Sequence, residues 1–360
     1  MKQRLDRTRA RMEQLELDGV IVSDQANVRY LTGFKGEPRT LFITAKELLL
    51  ITHSRTLPWA EAQTTALGQL LEIETSTQPA EVISKRLPES PFRIGLDQNI
   101  SHSASKRWQE ALAPHLLEPC PVIEHVRQIK SPDEVALMAK SQRLNESILA
   151  AVLPQIRPHM TERGVQGLIL AEMARQEAID AYSFTPIVAA GPSCWEIHHL
   201  PDNTVIGKNQ MLLIDLGVIH QGYASDMTRT VCLGKATNEM REIHALVSTA
   251  LEAAIEGSTE GRTNREVDKI ARNIISDAGH GEVFTHGLGH QIGLETHDPV
   301  PPLSQGAPEI LLEPGMAFTI EPGIYHKDKF GVRTEDVIVI SKGKPMNLTR
   351  PSHQLLELPI

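Results

Sequence analysis

The C-terminal part of the chain repeats one order of elements twice, and this repeat constrains the fold more than any other feature. Each half has a helix start at a threonine, then a Phe-Thr pair, then a histidine, then a predicted strand pair that carries two carboxylates. The first half covers residues 161–226 and the second covers residues 263–335. Residue identity between the halves is low, but the shared order predicts a pseudo-twofold domain with a site between its halves.

Two carboxylates in the first half follow a pattern that favours a cation. Asp215 ends the apolar run that begins at Met211, and Asp226 opens a threonine-rich segment eleven residues later. Gly217 and Gly222 suit a hairpin turn between them, which would place the two carboxylates side by side. A buried carboxylate loses solvation, and two adjacent ones strongly prefer a shared proton or a cation.

The second half repeats this arrangement. Glu321 ends the apolar segment 317–320, and Glu335 lies on the predicted partner strand 331–340. Taken singly, Glu321 could face solvent from an edge strand and Glu335 could form a surface ion pair with Arg333. Four acids in two matched hairpins favour a buried cation site instead.

Three histidines lie between the hairpins, at positions 286, 290 and 297, interleaved with glycines. The glycine spacing misses GxGxxG by one residue, so a dinucleotide loop is a poor interpretation. Four carboxylates and one imidazole suit Mn²⁺, Co²⁺ or Fe²⁺ in a two-metal centre better than a structural zinc, which favours thiolates. The chemistry that this ligand set predicts is metal-assisted hydrolysis.

The first third of the chain has a different character, with alternating helices and strands. We predict an opening helix from Leu5 that stops at Gly19, strands over 20–23 and 93–96, and a hairpin of 41–44 with 48–52. Prolines 114, 119 and 121 mark a boundary, which predicts an N-terminal domain over 1–125 and a catalytic domain over 126–360. In the second domain we expect helix starts at Ser131, Thr161 and Thr263, and a further helix over 239–256.

Composition excludes several classes of function. The chain has 36 Lys+Arg against 45 Asp+Glu, a formal charge of −9, so a nucleic-acid or anionic-membrane partner is not expected. No stretch approaches the ~18 apolar residues of a membrane span, and the charged N-terminus does not resemble a secretory signal. Three widely spaced cysteines predict no disulfide framework and no cysteine zinc site, which fits a reducing cytoplasm.

Several motifs together resemble one known family. They are DLG, SDMTRT, HGLGHQIGLETHD, TIEPGIY and GVRTEDV, and they resemble the Xaa-Pro branch of the pita-bread metallopeptidases, which contains prolidase and aminopeptidase P. Segments 30–34 and 126–134 resemble the N-terminal domain of that branch and its junction. The resemblance implies an α+β protein, with a smaller α/β creatinase/prolidase-like domain followed by a pseudo-twofold pita-bread domain.

The resemblance also implies roles for individual residues. Asp215 would chelate the first metal, Asp226 and Glu335 would bridge, and His290 and Glu321 would bind the second metal, with Glu321 also accepting a proton from water. His198 and His297 would contact substrate, His286 matches an outer histidine, and we assign Arg333 to substrate binding. Two divalent ions are implied, Mn²⁺ before Co²⁺, Zn²⁺ or Fe²⁺, in a homodimer that cleaves the bond before proline. A dipeptidase and an aminopeptidase remain equally open.

Departures from the family pattern affect the substrate pocket rather than the metal ligands. Gln291 follows the ligand histidine, Ser193–Glu196 precedes His198, and Thr-His-Asp replaces Val-His-Glu at 296–298. His199 has no inherited role, and we expect it to be structural.

Three other functions share parts of this pattern. Methionine aminopeptidases usually lack such an N-terminal domain, and creatinase-like hydrolases do not keep the full metal set. A peptide-binding pseudo-enzyme typically loses ligands, whereas all five are present here.

Overall fold

The structure is a computed structural model that describes residues 1–37, 40–350 and 352–360. The chain forms two compact units, Met1–Arg127 and Gln128–Ile360.

A mixed sheet with helices forms the first unit. Its helices are α1 (Lys2–Gln14), α2 (Gln25–Thr32), α3 (Leu57–Gln63), α4 (Pro79–Ser84), α5 (His102–Ala111) and α6 (Val122–Gln128). Its strands are β1 (Gly19–Val22), β2 (Thr40–Thr44), β3 (Leu48–Thr52), β4 (Glu72–Thr75), β5 (Arg93–Leu96) and β6 (Leu116–Pro119), in the order β4-β3-β2-β1-β5-β6. The β2–β3 pair is antiparallel, so the predicted hairpin is confirmed.

The opening helix is shorter than predicted. It ends at Gln14, before Leu17, because Glu16 has a positive φ of 54° and leaves the helical conformation. The amide of Leu17 then bonds back to the carbonyl of Met12, a geometry common at helix ends. The spacing of apolar residues extends to Leu17, beyond the point at which the backbone leaves the helix, and for this reason the predicted end was too late.

In its described residues, the second unit contains four α-helices and a set of short sheets. The helices are α7 (Pro132–Val152), α8 (Glu162–Arg175), α9 (Asn238–Gly257) and α10 (Asn264–Asp277). The strands are β7 (Ala181–Tyr182), β8 (Ile187–Ala190), β9 (Gln210–Leu216), β10 (Val218–His220), β11 (Tyr223–Ala224), β12 (Met227–Leu233), β13 (Ala317–Ile320), β14 (Gly323–His326), β15 (Phe330–Arg333), β16 (Asp336–Val339), β17 (Met346–Asn347) and β18 (Glu357–Leu358).

The predicted helix starts are confirmed by side-chain caps. Ser131 and Thr263 each form a capping box with the glutamate three residues later, and the hydroxyl of Thr161 accepts a bond from the amide of Gly164. These bonds satisfy backbone N–H groups that have no partner within the helix. The cap signals in the sequence therefore located three of the four helices of this unit.

The two halves of this unit repeat the same bent hairpin. Strand β9 pairs antiparallel with β12 and encloses the short hairpin β10–β11, just as β13 pairs with β16 and encloses β14–β15. Isolated bridges from the N-cap threonines, Thr161 to Val205 and Thr263 to Leu311, also correspond. The prediction of two simple hairpins was wrong in detail, because each hairpin divides into an outer and an inner pair.

Two further observations concern the cysteines and the helices. The three cysteines are free thiols. Among the described residues, the helices do not include one with the length and apolarity needed to cross a bilayer.

Candidate metal centre

The four predicted acids lie where the outer and inner hairpins meet. Asp215 is the penultimate residue of β9 and Asp226 directly precedes β12, while Glu321 directly follows β13 and Glu335 directly precedes β16. Because both hairpins divide at the same relative position, all four side chains are brought into one buried cavity. The bend that interrupts each hairpin is therefore what gathers the acids.

His290 joins this cluster through one ring nitrogen. Its Nε2 lies 3.7 Å from Asp226 Oδ2 and 3.7 Å from Glu321 Oε1. Its Nδ1–H donates to the carbonyl of Gln291 at 3.1 Å, which leaves the lone pair of Nε2 facing the carboxylates. A backbone carbonyl commonly fixes the tautomer of a metal-binding histidine in this way.

Arg333 pairs with Asp215, and not with Glu335 or a free substrate site as the sequence suggested. Its Nη2 donates to Asp215 Oδ2 at 2.8 Å, its Nε donates to Thr228 Oγ1 at 3.0 Å, and its Nη1 lies 3.3 Å from the hydroxyl of Tyr325. The guanidinium is buried. This placement does not favour the substrate-binding role, because the guanidinium nitrogens already contact protein groups.

The surroundings of the acids raise their pKa values and so favour the neutral, protonated form. Burial is the largest cause that raises the pKa of Asp226 and Glu335 well above the ordinary range, and repulsion from the neighbouring carboxylates adds to it. Burial also raises the pKa of Glu321 to about 7 and lowers the pKa of His290 to about 3. Without a cation, the cluster therefore favours protons on Asp226, Glu321 and Glu335 and a neutral imidazole on His290.

The residues present fit divalent cations. Asp226, His290 and Glu335 each offer a ligand atom, and these atoms lie within 4.8 Å of one another. Asp215 Oδ1 and Asp226 Oδ1 are buried and accept no hydrogen bond from the described residues. Unpaired buried carboxylate oxygens are costly, and oxygen-rich sites with one imidazole suit hard or borderline divalent ions.

Metal binding by the stripped protein is expected to strengthen as the pH rises from about 5 to about 8. The raised pKa values of Asp226, Glu321 and Glu335 mean that protons compete with the metal at low pH. Each proton released changes the affinity about tenfold per pH unit. Isothermal titration calorimetry in two buffers of different ionisation enthalpy measures both affinity and proton release. An affinity that is equal at pH 5 and pH 8 would contradict the competition between protons and metal for these acids.

A cavity of about 320 Å³ opens from the acid cluster. Its described lining is Phe184, Thr185, Ile187, Ile197, His198, His199, Leu200, Pro201, Asp215, Asp226, His290, Thr296, His297, Glu321, Arg333 and Glu335. His297 stacks on His290, with ring centroids 3.8 Å apart and an interplanar angle of 23°. Burial, and then repulsion from His198, lowers the pKa of His297, so its ring is neutral near pH 7.

His286 is not among the described residues that line this cavity. Its Nδ1–H donates to the carbonyl of Gly287 at 2.7 Å, and its Nε2 accepts from the hydroxyl of Tyr325 at 2.8 Å. Burial lowers the pKa of His286 to about 4, which agrees with an accepting nitrogen. Through Tyr325 it contacts Arg333, so the structure connects His286 to the cluster only indirectly.

Two side chains near the acids had no predicted role. Thr228 Oγ1 donates to Glu335 Oε2 at 2.7 Å, and the hydroxyl of Tyr325 lies between His286 and Arg333. Thr228 is two residues after Asp226, so strand alternation could have placed both on one face. Tyr325 lies beyond a backbone bend, where that alternation gives no guide.

Comparisons with known proteins agree with this geometry. Residues 136–342 match the metallopeptidase family M24, and residues 4–129 match the creatinase/prolidase N-terminal domain. The chain is 32% identical to the Xaa-Pro dipeptidase of Lactobacillus delbrueckii subsp. lactis over 99% of each protein. It is 28% identical to that of Pyrococcus furiosus, over 99% of this chain and 100% of the relative.

Solved structures of similar proteins superpose on nearly the whole chain. The Xaa-Pro dipeptidase from Bacillus anthracis has a TM-score of 0.92 at 28% identity, with 99% of each chain covered. The X-Pro aminopeptidase from Thermotoga maritima has a TM-score of 0.89 at 27% identity, also with 99% of each chain covered. The predicted α+β fold is confirmed, and the chain belongs to metallopeptidase family M24, with a creatinase/prolidase domain preceding the pita-bread domain.

Proposed function

We propose that this protein is a metal-dependent peptidase that hydrolyses the peptide bond preceding proline. The observation that carries the proposal is the cavity shared by four carboxylates, His290 and three further histidines, among them His198 and His297. The full-length relatives that are named Xaa-Pro dipeptidase support the same reaction. A tertiary Xaa-Pro amide has no N–H, so a dedicated site suits it better than a general peptidase does.

Five residues are proposed to hold two divalent ions. They are Asp215, Asp226, His290, Glu321 and Glu335. When bound, the ions supply a Lewis acid for the scissile carbonyl and lower the pKa of water. We propose Mn²⁺ as the metal, because hard oxygen ligands dominate the set.

The protein groups around this centre move protons and orient the peptide. Glu321, whose pKa burial raises to about 7 in the metal-free protein, is proposed to accept a proton from the attacking water. His297 has a neutral ring near pH 7 and can donate one N–H to the substrate carbonyl or to the oxyanion that replaces it. His198 lines the same cavity and is proposed to hold the substrate beside the proline ring.

The length of the substrate depends on what meets its C-terminal carboxylate. Among the described cavity residues, Arg333 alone carries a permanent positive charge, and it already pairs with Asp215 at 2.8 Å. A dipeptide would therefore place its carboxylate near His198 and His297 rather than on this guanidinium. Dipeptides and longer peptides both need to be assayed.

Removing and restoring the metal tests the proposed function. The chelated protein is assayed alone and after addition of Mn²⁺, Co²⁺ or Zn²⁺, with Ala-Pro, Ala-Pro-Pro and Met-Ala-Ser as substrates. We expect alanine to be released from at least one proline peptide, only after metal is restored. Turnover of Ala-Pro identifies a dipeptidase, and turnover of Ala-Pro-Pro identifies an aminopeptidase. Cleavage of Met-Ala-Ser alone, or of none of the three, would overturn the proposal.

A further inference from the structure

A second charged cluster lies around His199, which itself lines the cavity. Its Nε2 lies 2.6 Å from Glu162 Oε2 and its Nδ1 lies 2.7 Å from Glu196 Oε2. Glu162 is fully buried, at 0% exposure, and His199 is 8% exposed. The preceding residue, His198, is one of the two histidines proposed to contact the substrate.

With both carboxyl groups ionised, the geometry of this cluster favours a protonated ring. A neutral imidazole has one donor and one acceptor nitrogen, so one of its nitrogens would direct a lone pair at a carboxylate. With both nitrogens facing carboxylates, only the imidazolium donates to both. Burial alone would lower the pKa of His199, but its hydrogen bonds to Glu196 and Glu162 outweigh burial and raise the pKa.

Glu162 connects His199 to two fixed parts of the fold. It is the first residue of α8, its Oε1 accepts from the amide of Ala190 at the end of β8, and its Oε2 also accepts from the amide of Asp202. Glu162, His199 and Asp202 lie close enough together to hold a metal ion. The hydrogen bonds already made by His199 and Glu162 favour a different arrangement, in which a protonated His199 is held between Glu162 and Glu196. We call this arrangement the clamp.

The clamped segment, residues 196–201, carries His198 into the cavity. Its backbone is held on the other side by Arg333, whose Nη1 lies 3.4 Å from the carbonyl of Ile197. Leu200 in the same segment is 79% exposed, so packing contributes little at that position. The two contacts of His199 therefore tie this segment to Glu162 on α8 and to Glu196 within the segment itself.

We propose that His199 is a positioning residue: held as an imidazolium between Glu162 and Glu196, it fixes segment 196–201 so that His198 meets the substrate. This inference rests on the proposed function for its kinetic consequence, but not for the charge state of the ring. Loss of the proton at alkaline pH removes one of the two hydrogen bonds and loosens His198.

The direction of the pH effect follows from the charges around the ring. The charged groups that face His199 are Glu162 from α8, and Glu196 and Asp202 from its own loop. A raised pKa means that the clamp is intact at lower pH and is lost as the pH rises through that pKa. Removing the charge of Glu196 lowers the pKa of His199, so the clamp is then lost at a lower pH.

Kinetics of the metal-loaded full-length enzyme test the proposal. KM and kcat are measured across the pH range for the wild type, Glu196→Gln and His199→Gln, with the exposed His102→Gln as control. We expect the wild-type KM to rise on the alkaline side and the rise in Glu196→Gln to begin at lower pH. His199→Gln should have a KM raised about tenfold or more without that alkaline rise, and His102→Gln should match the wild type.

A second measurement keeps the two proposals distinguishable. The pKa of His199 is read by NMR from ¹³C-labelled histidine in the protein loaded with diamagnetic Zn²⁺, with His199→Gln assigning the signal. Absence of any proline-peptide turnover would overturn the proposed function, while a raised pKa that falls in Glu196→Gln would still support the clamp. A wild-type pKa at or below the ordinary histidine value would overturn the clamp. Unchanged KM profiles in both variants, in an active enzyme, would do the same.

Discussion

Replacing Glu335 with glutamine is expected to abolish peptidase activity while the protein stays folded. The amide is nearly isosteric, but it lacks the negative charge that a carboxylate would supply to a bound cation. Metal centres of this kind contribute several kcal/mol of charge stabilisation, so kcat/KM should fall at least about a thousandfold. Asp226→Asn should have a similar effect, because Asp226 and Glu335 each offer a ligand atom within 4.8 Å of the other and of His290.

The same substitution should not weaken the metal-free protein. Glu335 is buried beside three other acids, and burial and mutual repulsion raise its pKa well above the ordinary range. A neutral amide removes that repulsion and can still accept the hydrogen bond from Thr228 Oγ1. We therefore expect the chelated Glu335→Gln protein to unfold at a temperature equal to or above that of the chelated wild type.

Three measurements on one preparation test this prediction. They are kcat/KM on the best proline peptide, metal content by mass spectrometry and the thermal unfolding temperature after chelation. Glu89→Gln is the matched control, since Glu89 is exposed in the N-terminal unit and should leave all three unchanged. A Glu335→Gln enzyme that keeps two metals and normal activity would contradict the proposed centre.

The sequence could predict which acids come together because their signals are local. An apolar strand that ends in a carboxylate beside a glycine marks Asp215 and Glu321, and the matching order of elements marks Asp226 and Glu335. The cap motifs at Ser131 and Thr263 are equally local, and the structure contains both capping boxes. Such features depend on neighbours within a few residues, so one sequence is enough to recognise them.

The partners of the charged side chains could not be predicted in the same way. Arg333 is two residues from Glu335, so the expected partner of its guanidinium was that acid or the substrate. In the structure Arg333 pairs with Asp215, which is 118 positions away. His199 pairs with Glu162 across 37 positions. Pairings of this kind depend on how the bent hairpins and α8 pack, and no periodicity in the sequence encodes them.

Replacing Lys130 with methionine is expected to destabilise the C-terminal unit by about 3–5 kcal/mol. Lys130 Nζ lies 3.1 Å from Asp298 Oδ2, and the two side chains are only 1% and 3% exposed. Removal of the lysine takes away a positive charge 3.1 Å from a buried carboxylate. The thermal unfolding temperature should fall by more than about 6 °C.

An exposed pair provides the matched control for this substitution. Lys329 Nζ lies 2.9 Å from Glu239 Oε1, but those side chains are 59% and 53% exposed. Lys329→Met should change stability by less than about 1 kcal/mol, because water screens such pairs. The comparison keeps the chemical change constant and varies only the burial of the pair.

The double variant Lys130→Met/Asp298→Asn separates charge from packing. If the cost comes from the unpaired carboxylate, neutralising Asp298 should return part of the stability that Lys130→Met removes. A double variant that is as unstable as the sum of the single changes would contradict this explanation.

Asp298 directly follows His297, and its amide donates to the carbonyl of Gln291, next to His290. The buried pair therefore also anchors the loop that carries both histidines, and Lys130→Met should lower kcat/KM even at temperatures where the protein is fully folded.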